Sequence, residues 1–222
     1  AMVVIGIVLL SAPMLISTAT KSGYVAIQQE AINEAATKVN MIMGYHWDER
    51  SADELFLDPI LRVSNGSSDL DAADANASRR IGTPNESYRS FVRSDGTDDL
   101  NASPASSFGT PDSAEAREDD MDDFQGSSSL TLIEPSTSDY VEGSTTININ
   151  TTVSYNADAT AGGNYNQSTI TFNPFTASGG TTNIKQISVT LESSGPEELN
   201  KTIILHGFSC NIGGYKLEER DF

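Results

Sequence analysis

The sequence contains little cysteine, few aromatic residues and a small number of basic side chains. Cys210 is the only cysteine among 222 residues, so the chain can form no internal disulfide bond. Aromatic residues make up 7% of the composition, and no basic patch carries aromatic side chains on which nucleic-acid bases could stack. The 13 Lys and Arg residues face 31 Asp and Glu residues, which gives a net charge of −18. Because phosphate contacts require basic side chains, this balance excludes nucleic acid as the natural partner.

The sequence also lacks the residue combinations that mark an active site. His46 and His206 are the only histidines, and neither has a pair of metal ligands close to it in sequence. The segment HGFSC at 206–210 holds His, Ser and Cys, but no acid that could orient the histidine follows at close range. No glycine-rich phosphate loop is present. We therefore predict no enzymatic activity, and we interpret Cys210 as a buried small residue.

The first segment, AMVVIGIVLLSAPMLIST, carries no charged side chain over residues 1–18. A membrane-spanning helix needs roughly 20 apolar residues, and this segment approaches that length. A secretory signal peptide would begin with basic residues and contain a shorter apolar core. A core helix that is apolar on every face would need a large core around it, which the polar remainder cannot supply. We therefore favour a membrane-compatible helix over residues 1–20 and keep the other two interpretations as alternatives.

A helical pattern continues from Lys21 to His46, now with one apolar face. Ala, Gln, Glu, Lys and Met dominate this stretch, and all five favour helices. We predict one long helix over 1–47, which Pro13 should kink or locally melt because proline lacks a backbone donor. The apolar side chains recur at steps of three and four residues and comprise Tyr24, Ile27, Ala31, Ala35, Val39 and Ile42.

Residues 48–129 are rich in Asp, Ser, Ala, Asn and Gly, and they hold most of the acidic side chains. They contain too little apolar surface to offset the entropy of ordering them. We predict a variable, acidic surface loop region, anchored by two short pieces, LFLDPILRV at 55–63 and YRSFV at 88–92.

Residues 130–222 alternate apolar and polar side chains, with many β-branched residues, which predicts β-strands. Five or six strands fit, and the last residues would add a short edge strand. The connections are too short for crossover helices, so the sheet should be antiparallel. The segments concerned are LTLIE, TTININTTVSY, STITFNPF, IKQISVTLES and KTIILHGFS. The fold class is α+β, with the amphipathic helix half packed on one face of a C-terminal antiparallel sheet.

An acidic cluster, EDDMDDFQG at 118–126, is a candidate metal site. Closely spaced carboxylates suit Ca²⁺, which takes six to eight oxygen ligands. The alternative is a solvated acidic loop that docks Phe124 on the sheet. The candidate ligands are Asp119, Asp120, Asp122 and Asp123.

Three asparagines are candidates for glycosylation. Asn76, Asn101 and Asn200 each begin an Asn-x-Ser/Thr triplet and follow an acid two residues earlier. That extended form resembles the acceptor sequence of bacterial N-glycosylation. The alternative is chance, because a chain so rich in Asn, Ser and Thr produces such triplets often.

The order of an apolar half-helix, an amphipathic half-helix, a variable loop and an antiparallel sheet resembles the type IV pilin and pseudopilin family. The resemblance rests on AMVVIGIVLLSAP at 1–13 and on the helical run that follows it as far as GYHWDE at 44–49. The latter is similar to pilin-like proteins of Campylobacter-related bacteria. The acidic cluster at 118–126 resembles that of minor subunits of the mannose-sensitive haemagglutinin pilus. Family members begin with a methylated residue and carry a glutamate shortly after it, and neither is present here. The alignment of Gly6 and Ile7 with the family pattern leaves two interpretations: about eight residues precede Ala1, or the protein departs from the family in this respect.

The resemblance implies a structural subunit that polymerises into a bacterial filament for adhesion, motility or attachment. The subunit would first sit in the inner membrane and meet the pilus assembly machinery there. It would then pack against other copies of itself in an extracellular, helical pilus. The alternatives are a pseudopilin of a type II secretion system and a membrane-anchored binding module that does not polymerise. The residues implied for the membrane and filament core are Val3, Val4, Ile5, Ile7, Val8, Leu9, Leu10, Pro13, Leu15 and Ile16.

Overall fold

The computed structural model describes most of the helix and sheet and parts of the region between them. Those residues are 2–51, 58–71, 80, 83, 89–91, 100–111, 117–134, 143–161, 165–193 and 200–214, with side chains described from Ser11 onward except at 132–134, 143 and 144. The predicted edge strand near the end of the chain, apart from its first residues, lies outside them, as does Asn76.

The N-terminal helix, α1, extends from Met2 to Ile42. It continues through Pro13 without a break, so the local melting that we expected at that residue does not occur. The apolar face is confirmed in its second half, where Ala35 and Ile42 have no exposed surface. The helix ends earlier than predicted, because the amides of Gly44 and Tyr45 bond the carbonyls of Met41 and Ile42, three residues back, and so close tighter turns. Within the described part of the chain, none of the helices combines the length and the apolar character that crossing a bilayer demands.

The long helix packs on a four-stranded antiparallel sheet, which confirms the predicted α+β architecture. The spatial order of the strands is their order along the chain, so each hydrogen-bonds the next. Burial alternates along the third strand, as expected for a sheet with one covered face. The strands are β1 (Gly126–Glu134), β2 (Gly143–Asn156), β3 (Ile184–Ser193) and β4 (Ile203–Cys210).

Two boundaries of the predicted sheet are wrong. β1 begins at Gly126 and so includes residues that we placed in the loop region. The segment STITFNPF at 168–175 forms no strand, although it alternates well. Ile170 and Phe175 remain 48% and 46% exposed, so this segment lacks a core to cover its apolar side chains. Alternation alone does not make a strand when no neighbouring strand offers backbone partners.

By internal packing the chain divides into two compact units. The first comprises Ala1–Lys38, Ser127–Asn150 and Val189–Leu205. Its core contains Ala31 and Ala35 from α1 with Ile147, Ile149 and Leu191 from the strands. The second comprises Val39–Gly126, Thr151–Ser188 and His206–Phe222, and it contains the described parts of the acidic region as far as Gly126.

The acidic region is ordered in the second unit by both apolar and polar anchors. Ile60, Leu61 and Phe91 are fully buried, which confirms the two anchored pieces as far as they are described. Asn211 pairs with the backbone of Leu61 as a strand would, since its side chain accepts from the Leu61 amide at 3.0 Å and donates to the Leu61 carbonyl at 2.7 Å. The Arg80 guanidinium donates to the Asn211 carbonyl at 2.7 Å. Buried polar side chains thus supply the order for which apolar residues are too few.

Candidate functional site

The first described turns of α1 expose apolar side chains on every side. Met14, Leu15 and Ile16 are 74%, 69% and 67% exposed. Because successive helical residues point about 100° apart, these three side chains face three different directions. No charged residue occurs before Lys21. We use the name helix surface for the exposed surface of α1 over residues 11–20 only.

Two threonines of the helix surface direct their hydroxyl groups back onto the helix. The hydroxyl of Thr18 donates to the Met14 carbonyl at 2.8 Å, and that of Thr20 donates to the Ile16 carbonyl at 3.0 Å. Each hydroxyl proton is therefore used in a hydrogen bond within the helix, and the threonine methyl group is left for contacts with other molecules. Among the implied filament-core residues, Pro13, Leu15 and Ile16 are exposed. For Val3 to Leu10 the structure describes the helical backbone alone.

A second site lies inside the protein, in the compact unit that holds the acidic region. Lys185 of β3 has no exposed surface. Its ammonium donates to the Trp47 carbonyl at 2.7 Å, to Asp48 Oδ2 at 3.0 Å and to Asp122 Oδ1. We call Lys185, Asp48 and Asp122, together with the aromatic rings around them, the lysine site.

Aromatic rings surround the ammonium of the lysine site. Lys185 Nζ lies 4.4 Å from the ring centre of Trp47, 5.2 Å from that of Phe108 and 5.6 Å from that of Tyr155. Ring faces attract a cation and exclude water at the same time. The Tyr155 hydroxyl donates to the Ser103 carbonyl at 2.7 Å, so its ring position is fixed.

Asp48 follows α1 and is held by hydrogen bonds on both carboxylate oxygens. Oδ1 accepts from the Arg50 amide at 3.2 Å and from the Ser103 hydroxyl at 3.0 Å. Oδ2 accepts from the Ser103 amide at 2.9 Å. Asp48 itself is fully buried. Its carboxylate also forms an ion pair with Lys185, at 3.0 Å.

Asp122 lies in a tight turn that places its carboxylate against Lys185. Asp120 accepts from the amides of Asp122 and Asp123 at 2.9 and 3.2 Å, which shapes the turn. Gly109 donates its amide to the Asp122 carbonyl at 2.8 Å, and its φ of 79° favours glycine there. Burial raises the pKa of Asp122 to about 7, although the attraction of Lys185 works in the opposite direction. Burial likewise raises the pKa of Asp120.

The structure does not support the predicted calcium site. Among the described residues, no group of three or more His, Cys, Asp or Glu side chains is arranged to hold a metal ion. Asp122 pairs with Lys185, Asp120 accepts backbone amides, and Asp123 accepts the Asp119 amide at 3.3 Å. The cluster is divided between buried and exposed sides, because Asp120 and Asp122 are buried while Asp119 is exposed.

The remaining candidates lie at the surface or beside an open cleft. Asn101 and Asn200 are exposed, as glycan acceptors must be. His46 Nδ1 lies 3.3 Å from Asp58 Oδ2 at a cleft that Cys210 also lines. Burial raises the pKa of the Cys210 thiol, which disfavours the reactive thiolate.

Sequence reasoning missed the lysine site because its members are distant along the chain. Lys185 is separated from Asp122 by 63 residues and from Asp48 by 137 residues. The available signal was a lysine beside apolar positions in the most regular predicted strand.

Comparison of the chain with protein-family models, with curated proteins and with solved structures gives no match.

Proposed function

We propose that this protein is a structural subunit of a bacterial filament of the type IV pilus kind, assembled through the first half of α1. The observation that carries the proposal is the helix surface, where large apolar side chains remain exposed on every side of the uncharged first half of α1. Contiguous exposed apolar surface of this kind marks a site of association with protein or membrane.

The energetic argument favours association with sister helices. Burying one Val, Leu, Ile or Met side chain stabilises a complex by about 1.5–3 kcal/mol. Met14, Leu15, Ile16 and Val25 are all more than half exposed, and a filament core would bury them in every copy. For these four side chains the gain is roughly 6–12 kcal/mol per subunit, which is comparable with the roughly 4–15 kcal/mol that immobilising each subunit costs.

In this proposal the first half of α1 anchors the subunit in the inner membrane, and the assembly machinery then transfers the subunit into an extracellular pilus. The sheet and the acidic region face outward, and Asn101 and Asn200 are accessible there. The protein performs no chemistry on a substrate.

The test introduces one charge on the helix surface. Leu15→Glu places a carboxylate where the proposal requires contact between copies, and we expect it to abolish the fibres sheared from the cells that produce the protein. The matched control is Gln29→Glu, which adds the same charge at an exposed position further along α1. We expect this control to leave fibre yield unchanged.

Three outcomes distinguish the alternatives. Normal fibres from Leu15→Glu would overturn the proposal. Recovery of the unaltered protein only as a membrane-bound monomer would favour the non-polymerising binding module. Fibres confined to the periplasm would favour the secretion pseudopilin.

A further inference from the structure

We propose that the lysine site forms an intramolecular isopeptide bond between Lys185 Nζ and Asp122 Cγ, with Asp48 transferring protons. This inference concerns the covalent structure of the chain and does not rest on the filament proposal. Its basis is a buried amine in direct contact with two buried carboxylates inside an aromatic enclosure.

The fold supplies the proximity that the reaction needs. Lys185 and Asp122 come from separate elements and touch through a direct hydrogen bond. Holding two reactive groups together in this way replaces a collision in solution by an effective concentration of up to about 10⁸ M. The ammonium has no exposed surface, and Asp48 and Asp122 have almost none. The charged groups of an exposed ion pair can separate into water, but Lys185, Asp48 and Asp122 cannot, because they are buried.

The environment also favours the acid form of Asp122, which amide formation needs. An ammonium and a carboxylate do not react with each other; a neutral amine and a carboxylic acid do. Burial disfavours charged forms, and it raises the pKa of Asp122 to about 7, so the acid form is populated near neutral pH. Asp48 Oδ2 lies 3.0 Å from Lys185 Nζ and can accept a second proton from it, which leaves the third on the product amide.

The step balances without any co-reactant. The Lys185 ammonium gives one proton to the Asp122 carboxylate, and the free amine attacks Cγ to form the Nζ–Cγ bond. Asp48 takes a second proton from Nζ and delivers it to the leaving oxygen. The Cγ–O bond then breaks, one water molecule leaves, and Asp48 returns to its carboxylate form. The product amide N–H can donate to the oxygens that the ammonium contacts now, the Trp47 carbonyl and Asp48 Oδ2.

The surroundings favour the product. The rings of Trp47, Phe108 and Tyr155 cover Lys185 Nζ, so they hinder the return of the water that hydrolysis requires. A covalent link between residues 122 and 185 closes a loop of the chain and restricts the unfolded state, as a disulfide does. A chain whose only cysteine is Cys210 has no disulfide available for that purpose.

The direct test is the mass of the purified, full chain, produced in a host that does not glycosylate. We expect the intact mass to fall below that of the sequence by one water molecule. Digestion should release a branched peptide that joins the fragment with Asp122 to the fragment with Lys185, and tandem mass spectrometry locates the link. An intact mass equal to that of the sequence, or the two fragments recovered unlinked, would overturn the proposal.

Variants identify the reacting groups. Lys185→Met should restore the full mass, whereas a water loss that persists in this variant would come from another reaction and would overturn the proposal. Asp48→Asn keeps the shape of the side chain but removes the proton carrier, and we expect at least a tenfold slower appearance of the branched peptide. An unchanged rate would overturn the role of Asp48. Asp119→Asn, an exposed neighbour in the same acidic cluster, is the matched control and should cross-link normally.

Discussion

At the scale of single residues, Lys185 is the shared partner of two buried carboxyl groups, as an ammonium before the proposed bond forms and as the amide nitrogen afterwards. Lys185→Met would leave Asp48 and Asp122 without their shared partner, and we expect the free energy of unfolding to fall by about 3–5 kcal/mol. Equilibrium unfolding in urea measures the change. Lys201→Met, at an exposed position, is the control and should stay within about 0.5 kcal/mol of the unaltered protein. Equal losses in the two variants would contradict a special role for Lys185.

Tyr155 should make the protein sensitive to alkali. Burial, followed by the nearby carboxylates of Asp48 and Asp122, raises the pKa of its hydroxyl far above the ordinary value. An acid whose pKa is higher in the folded state stabilises that state below its unfolded pKa, here about 10. The contribution disappears as the pH rises further, because the unfolded state loses its proton first. We expect the free energy of unfolding to decline above about pH 10.

Tyr155→Phe isolates this effect. The variant loses the hydrogen bond to the Ser103 carbonyl, so its stability at pH 7 should be lower by about 1–3 kcal/mol. Its decline above about pH 10 should be shallower than that of the unaltered protein, because a phenylalanine side chain carries no ionisable proton. Parallel pH profiles from thermal unfolding would contradict the assignment.

At the scale of elements, the last turns of α1 pack closely against β4. A Cβ atom at Gly207 would lie 2.8 Å from Val39 Cγ1 and 3.0 Å from Met43 Sδ. We expect Gly207→Ala to reduce the free energy of unfolding by about 1–3 kcal/mol through overpacking. Adding Val39→Ala should recover part of that loss, as a double-mutant cycle would measure. Gly179→Ala meets no atom within 4 Å and serves as the control; a loss as large as that at Gly207 would contradict the contact.

The success of the sequence-based predictions also varied between elements, for a physical reason. IKQISVTLES forms β3 over the predicted residues, and its two neighbours in the sheet were predicted as well. STITFNPF alternates equally well but forms no strand. Strand formation depends on a partner strand and a covered face, and neither is a property of the segment itself. Helix α1 was easier to predict, since its hydrogen bonds lie within the element.

At the scale of the whole molecule, the net charge of −18 should oppose compactness. Like charges repel one another in the folded state, and salt screens this repulsion over a Debye length of about 10 Å at 0.1 M. We expect the melting temperature at pH 7 to rise between low salt and about 0.5 M NaCl. KCl at the same concentration should raise the melting temperature by the same amount, because screening depends on ionic strength and not on which cation is present. A difference between the two salts would indicate ion-specific binding. A melting temperature that falls with salt would show that attractive surface pairs dominate.

The sequence by itself determined what depends on local order: the long helix, its uncharged first half, its apolar face, and the acidity of the chain. Periodicity and composition are read from neighbouring residues, so one sequence suffices for these features. Only the tertiary structure decided that Lys185 meets Asp48 and Asp122, the latter on the acidic turn. Residues so distant along the chain form no recognisable spacing pattern in the sequence, because only folding brings them together.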